Sequence, residues 1–355
     1  MKPRLHVAMG DPQAPFATVL AVLRHHGLLG PGERLRPEVQ LVSMGDHFDW
    51  GRPEERPRAT QDALELLRWL ASHPPEQVVL LAGNHDLGRV CELAPFPTDA
   101  EFEAAFAEAR AAYGGGAPDA AAEARFLARY AHLPDAECLA RDFSCFSVAQ
   151  RELVVELLRT RRLRLAHEHR GLLLVHAGVT VTDLAHLGGP PPEDAAGVAA
   201  ALNRFLDERV AAWRDGPLEL DPLHLRGTAA DGLGGGILFQ RPANPATDAR
   251  FHESRRRRFD PRTLPATFAQ AIGHIRDKKC RELLGPWADD AAPSDGPLRS
   301  LVVEGDTVRY AHGVAPGARL LFLDGGMNYL GPGALDRYEL LDLDTRAPLS
   351  PARSW

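Results

Sequence analysis

Five short motifs place metal-ligating and proton-carrying residue types along the chain: Gly10-Asp11-Pro12-Gln13, Gly45-Asp46-His47-Phe48-Asp49-Trp50-Gly51, Gly83-Asn84-His85-Asp86, His176-Ala177-Gly178 and Gly273-His274-Ile275. Carboxylate and amide oxygens together with imidazole nitrogens form the donor set of divalent cations such as Mn2+, Fe2+ and Zn2+. A histidine beside such donors, as His85 is beside Asn84, can also carry a proton. The four cysteines, Cys91, Cys138, Cys145 and Cys280, show no C-x-x-C spacing. They read as reduced thiols, which excludes a disulfide framework and a zinc knuckle.

The elements that position these residues are short apolar runs ending at the motifs. Leu5 to Met9 closes on Gly10-Asp11, Val39 to Met44 on Gly45-Asp46, Val78 to Ala82 on Gly83-Asn84, and Leu172 to Val175 on His176. Runs of this length bounded by glycine predict buried strands. Helical patterns lie between them, at Pro15 to His26 and Ala59 to Ser72, so the chain reads as α/β. In open α/β sheets ligands bind outside the C-terminal ends of the strands, which is where these polar residues fall. From Ala94 to Leu165 the sequence turns alanine- and arginine-rich. Helices are expected over Asp99 to Tyr113, Ala120 to Tyr130 and Val148 to Arg162, as a helical insertion or cap spanning about 95–165. A further helix is expected over Pro192 to Trp213. Strands at Leu301 to Val303, Thr307 to Ala311, Arg319 to Leu323 and Tyr338 to Leu343 complete the chain.

The motif series, in this order from residue 10 to 274, resembles the calcineurin-like metallophosphoesterase superfamily, and within it the bacterial type of the phosphoprotein-phosphatase (PPP-like) branch. The resemblance implies one domain over residues 1–355, a sandwich of two mixed β-sheets flanked by helices. It also implies two divalent metal ions, with Mn2+ favoured and Fe or Zn2+ as alternatives. Such a pair, roughly 3.5–4 Å apart, needs a bridging carboxylate and oxygen and nitrogen ligands. Asp46 matches the bridge, Asp11 the first metal, and Asn84, His176 and His274 the second. The metals would clamp the phosphate and activate a shared water as hydroxide for in-line attack on phosphorus. His85 would then protonate the leaving oxygen, with Asp49 orienting its imidazole.

The chain departs from the family pattern twice. Gln13 stands where a first-metal histidine is usual, and its carbonyl oxygen can serve instead. Trp50 stands where an arginine is usual; Arg241 and Arg52 are the candidates for the phosphate-gripping role, since a guanidinium fork matches phosphate oxygens. The activity implied is hydrolysis of phosphomonoesters, with phosphoserine/threonine protein or a small phosphoester as substrate. A dinucleoside polyphosphate hydrolase and an inactive metal-binding module are the alternatives.

Composition narrows the classes further. The 355 residues carry a formal charge of −7, which argues against a dedicated nucleic-acid binder. No apolar run reaches the roughly 18 residues a membrane span requires, and the N-terminus lacks a signal peptide's apolar stretch. The expectation is a cytoplasmic enzyme. Three other features read as ordinary structure: His167-Glu168-His169 as a turn into a strand, Arg255 to Arg258 as a solvated charged loop, and Asp231 to Gly236 as a flexible glycine-rich loop.

Overall fold

Alternation of side chains along each strand divides its apolar residues between two faces. Ala8, Val42 and Leu81 of one sheet meet Leu172, Leu174, Ala271 and Leu321 of another in a buried layer between the two. Their neighbours Val7, Met9, Leu41 and Leu80, like Leu173, Ile272, Leu320 and Phe322, belong to the larger core under the helices. The runs are apolar throughout because both faces are covered. The computed structural model describes residues 5–114, 119–188, 190–252, 257–331 and 333–350.

The first six-stranded sheet has the order Ala347–Pro348, Leu341–Asp342, Leu5–Met9, Val39–Ser43, Val78–Leu81, Leu163–Arg164. Leu5–Met9, Val39–Ser43, Val78–Leu81 and Leu163–Arg164 run parallel, with Val7 opposite Leu41 and Val42 opposite Val79; Leu341–Asp342 joins antiparallel. The second six-stranded sheet has the order Thr307–His312, Arg299–Glu304, Leu320–Phe322, Ala269–Ile272, Leu172–Val175, Ala166–His169. Its centre is parallel and its two flanks antiparallel. This is the predicted sandwich of two mixed sheets.

The helix Arg56–Ala71 covers the first sheet by burying Ala59, Ala63, Leu66, Leu67 and Leu70, the spacing of one helical face. Each fully buried leucine contributes roughly 1.5–3 kcal/mol. The 95–165 stretch forms the helices Asp99–Tyr113, Ala120–Arg129 and Val148–Arg159, with a π-helical turn at Cys138–Asp142. Its last residues differ from a helical reading: Leu163–Arg164 pairs with Val78–Leu81 as the sheet's edge strand. Helix Val148–Arg159 therefore belongs to the crossover between two parallel strands, as parallel pairing demands. Ser147 and Gln150 form a capping box at its start. His167-Glu168-His169 lies within a strand, not a turn. Ile237 to Phe239 is buried but forms no strand. In the arginine run, Arg255 and Arg256 fall outside the described residues, while Arg258 pairs in a two-residue strand with Arg241.

Candidate metal and phosphoester site

Backbone geometry at the strand ends gathers the motifs. Asp46, Asp49 and His274 all adopt left-handed backbone conformations, with φ of 55°, 62° and 64°. Non-glycine residues are uncommon in that region, and such outliers cluster at functional sites. The loops also approach each other too closely for a side chain at two glycines. A Cβ at Gly83 would lie 2.1 Å from Asp46 Oδ1, and one at Gly273 would lie 1.8 Å from Asp11 Oδ1.

Asp46 is buried and spends one oxygen on the protein: Oδ1 accepts the His85 backbone N–H at 2.9 Å. Its Oδ2 lies 3.3 Å from His176 Nε2 and 3.9 Å from His85 Nε2. Burial opposes its ionisation, but His176 and His85, with His274, hold its carboxyl far below the usual range. His176 Nδ1 bonds the Met44 carbonyl at 2.9 Å and so carries the proton there. Its Nε2 faces Asn84 Oδ1 at 3.2 Å and Asp46 Oδ2 at 3.3 Å, and although burial pushes the imidazole down, Asp46 holds it above its ordinary value. Three donors of metal-ligand type thus converge on one buried spot, where a cation would take the place of the ring proton.

Two buried atoms here lack a hydrogen-bond partner: Asp11 Oδ1 and His274 Nε2. Asp11 Oδ2 accepts the His274 backbone N–H at 2.8 Å, tying the two loops together. Burial, then the charges of Asp324 and Asp46, push the Asp11 carboxyl well above its ordinary value. His274 is pushed well below the ordinary value, first by burial and then by Arg241 and His176. A neutral imidazole is the ligand form. Ligand atoms of Asp46, His176 and His274 all lie within 4.8 Å of one another. The donor set and its unspent lone pairs fit divalent metals.

Gln13 is tied to the second motif loop. Its amide nitrogen donates to the carbonyls of Phe48 at 2.9 Å and Asp49 at 3.3 Å. That orientation commits the nitrogen to the loop.

The proton-carrying pair is formed. Asp49 Oδ2 accepts from His85 Nδ1 at 2.8 Å and from Arg89 at 2.5 Å, while Oδ1 accepts the Cys145 backbone N–H at 2.8 Å. Burial pushes the His85 imidazole down; Asp46 and then Asp49 raise it by more, leaving it above its ordinary value. The ring of Phe143 meets His85 edge-on, with centroids 5.3 Å apart.

Beside Asn84 and His85 opens a cleft of about 530 Å³, lined by Arg141, Arg241, Arg250, Arg257, Arg258 and Lys279 together with Asp135, Glu137 and Asp142. Arg241 is drawn down to about 9, by burial first and then by its neighbours Arg257 and Arg258. Arg258 is paired with Asp248 and Lys279 with Glu282, each at 3.0 Å, whereas Arg241 is buried and crowded by like charge, as in an anion site. Arg52, by contrast, is not brought to the cleft. It is exposed and its backbone N–H donates to Glu55 at 2.8 Å. Trp50 is buried against Ala59 and Cys145.

Two residues that sequence reasoning missed hold the site in place. Asp86 is fully buried and accepts the backbone N–H groups of Gly83 and Asp46, each at 2.8 Å, and of His47 at 3.1 Å, with the His47 ring at 2.9 Å. It joins the second and third motif loops. Arg89, also fully buried, bonds Asp49, the His85 carbonyl, the Cys145 carbonyl and Gln150, and lies over the Phe48 ring. Asp86 ended a motif already noted; for Arg89 the only signal was its spacing four residues after His85.

The calcineurin-like phosphoesterase family matches residues 7–226. The chain belongs to that family and is a metal-dependent phosphoester hydrolase, with a dinuclear divalent-metal site as the family carries. No curated protein matches it. Among solved structures, a cold-active protein-tyrosine phosphatase of a psychrophilic Shewanella is similar at 11% identity and a TM-score of 0.41, over 96% of this chain and 75% of that one. Another structure of a cold-active protein tyrosine phosphatase gives 12% and 0.42, over 96% and 73%. No helix among the described residues is long and apolar enough to cross a membrane.

Proposed function

We propose that the chain is a Mn2+-dependent phosphomonoesterase of the PPP-like branch, acting on phosphoserine or phosphothreonine in protein, in the cytoplasm. The observation that carries this reading is the pairing of His85 with Asp49 at the mouth of a cleft walled by Arg241, Arg257 and Arg258. A phosphoryl group against that wall would have its oxygens held by guanidinium donors. Divalent metals held by Asp11, Asp46, Asn84, His176 and His274, with Gln13 as a further oxygen donor, would supply Lewis-acid polarisation and an activated water.

The remaining work falls to the chain. Asp49 accepts at His85 Nδ1 and fixes the ring, so that Nε2 is the atom that gives a proton to the leaving oxygen. Arg89 and the Cys145 amide keep Asp49 ionised and oriented. Retention of this pair also speaks against an inactive metal-binding module, because binding metal requires no acid.

The test is a release assay with added Mn2+ across phosphoserine, phosphothreonine and phosphotyrosine peptides and diadenosine tetraphosphate. Faster turnover of phosphoserine or phosphothreonine peptides supports the reading. Preference for the dinucleoside polyphosphate would transfer the chain to the alternative hydrolase class.

A further inference from the structure

Away from the phosphoester site, a second set of ligand-type side chains is buried together. Ligand atoms of Cys91, Glu92 and His224 lie within 4.8 Å of one another, the same spacing found among Asp46, His176 and His274. Cys91 is 0% exposed, Glu92 3% and His224 4%. Both carboxylate oxygens of Glu92 and both ring nitrogens of His224 lack a hydrogen-bond partner. The nearest approach between those two side chains is 3.5 Å, from His224 Nε2 to Glu92 Oε1. Buried polar atoms are nearly always satisfied, and a carboxylate left unbonded in a core is costly. Four such atoms in adjoining side chains call for a ligand.

We propose that Cys91, Glu92 and His224 form a third metal site, specific for zinc. Thiolate, carboxylate and imidazole are the three zinc ligand types, and a sulfur donor selects Zn2+ over Mn2+ or Mg2+. Charge balances as well: one thiolate and one carboxylate neutralise a dication, so a neutral unit replaces a bare buried acid. On binding, the Cys91 thiol releases its proton to solvent as the sulfur–zinc bond forms. Burial and the neighbouring Glu92 keep that thiol well above its ordinary value, with Arg226 opposing them, and metal binding overrides this. The Cys91 thiol donates to the Leu218 carbonyl at 3.2 Å, a hydrogen bond that the sulfur–zinc bond would replace.

The site sits where it can brace the anion wall. Cys91 and Glu92 follow the helix Asn84–Gly88, which carries Asn84 and His85. His224 belongs to the strand His224–Leu225, paired with Gly235–Gly236, from which the chain runs directly into Phe239 and Arg241. The His224 ring stacks on Phe239 with centroids 5.4 Å apart, and Phe239 meets His274 edge-on at 6.5 Å. A zinc ion here would lock the segment behind the catalytic helix to the segment before Arg241.

The experiment is cobalt exchange in the full-length protein, read by absorption and elemental analysis. The phosphoester site contains no thiol, so a thiolate-to-cobalt charge-transfer band reports only a cysteine-ligated metal. The proposal expects that band in the wild-type chain, its loss in Cys91→Ser, and a fall of about one metal equivalent in Cys91→Ser and His224→Gln. If Cys91→Ser does not fold, a chain with Cys138, Cys145 and Cys280 all replaced by serine keeps Cys91 as its sole thiol and must retain the band. Absence of the band in the wild-type chain, or its persistence in Cys91→Ser, overturns the proposal and leaves Glu92 and His224 as a buried contact at 3.5 Å. The result is independent of which phosphoester the enzyme cleaves.

Discussion

At the scale of single residues, ligands and acid are separated by what each side chain already touches. Asp46, His176 and His274 bring their ligand atoms within 4.8 Å of one another and leave His274 Nε2 without a partner, whereas His85 has Nδ1 committed to Asp49 and only Nε2 to offer. His85→Ala is therefore expected to keep its metal and lose about 10²- to 10⁴-fold in kcat on an alkyl phosphoester. The loss should be smaller on p-nitrophenyl phosphate, whose leaving group needs little protonation; kcat on the two substrates, with metal content, checks this. Gln13 poses the sharper case. Its nitrogen is anchored on the Phe48 and Asp49 carbonyls, so Gln13→Ala should weaken Mn2+ activation several-fold, and Gln13→His should shift preference towards zinc. Metal-titration curves of the two variants measure it; unchanged Mn2+ affinity in Gln13→Ala would reduce the residue to a loop brace.

At the scale of elements, the strands that carry the first four motifs were legible because each is a short apolar run stopped within a few residues by glycine. Leu5–Met9 and Leu172–Val175 fall where the sequence reading placed them, and the helix Asp99–Tyr113 does too. The two-residue strands around Gly235 and Arg241 were not legible, since pairing so short carries no periodicity and depends on partners far along the chain. The same limit hid Asp86 and Arg89, whose roles exist only once separate loops meet.

The helix Asp277–Leu284, which follows the His274 loop, shows how an element is tied in. Asp277 accepts from Tyr310 at 2.7 Å, His312 at 2.7 Å, the Ser294 amide at 2.8 Å and Arg281 at 2.9 Å. Burial opposes its charge, but the hydrogen bonds from His312 and Tyr310 and those of Ser294 and Arg281 lower the carboxyl from 3.8 to about 2. A carboxyl depressed on folding stabilises above its unfolded value, and that contribution is lost as pH falls from about 4 towards 2. Asp277→Asn should cost on the order of 1–2 kcal/mol at pH 7, and the gap to wild type should narrow below about pH 4. Urea melts of both chains across that range measure the gap; a constant difference would contradict the linkage.

At the scale of the molecule, a chain of net charge −7 has Arg241, Arg257, Arg258 and Lys279 among the residues lining its site cleft. The field is local, so it should act on encounter more than on chemistry. For a dianionic phosphoester, kcat/KM should fall several-fold as ionic strength rises from about 0.01 to about 0.15 M, with kcat nearly constant. Arg257→Ala should flatten that dependence. The helical stretch contributes more than a lid, because the Cys145 amide and the Phe143 ring touch Asp49 and His85 directly.

The central claim, a metal-dependent phosphoesterase built on Asp46, is tested most directly by titrating Mn2+ into metal-stripped protein while following phosphate release from p-nitrophenyl phosphate. The wild-type chain should be inactive when stripped and regain activity saturably, reaching its plateau with about two metal equivalents bound. Asp46→Asn should bind less metal and stay at least about 10²-fold below wild type at every concentration. Activity in the stripped wild-type chain, or Mn2+-dependent recovery of Asp46→Asn to the wild-type rate, would contradict the assignment.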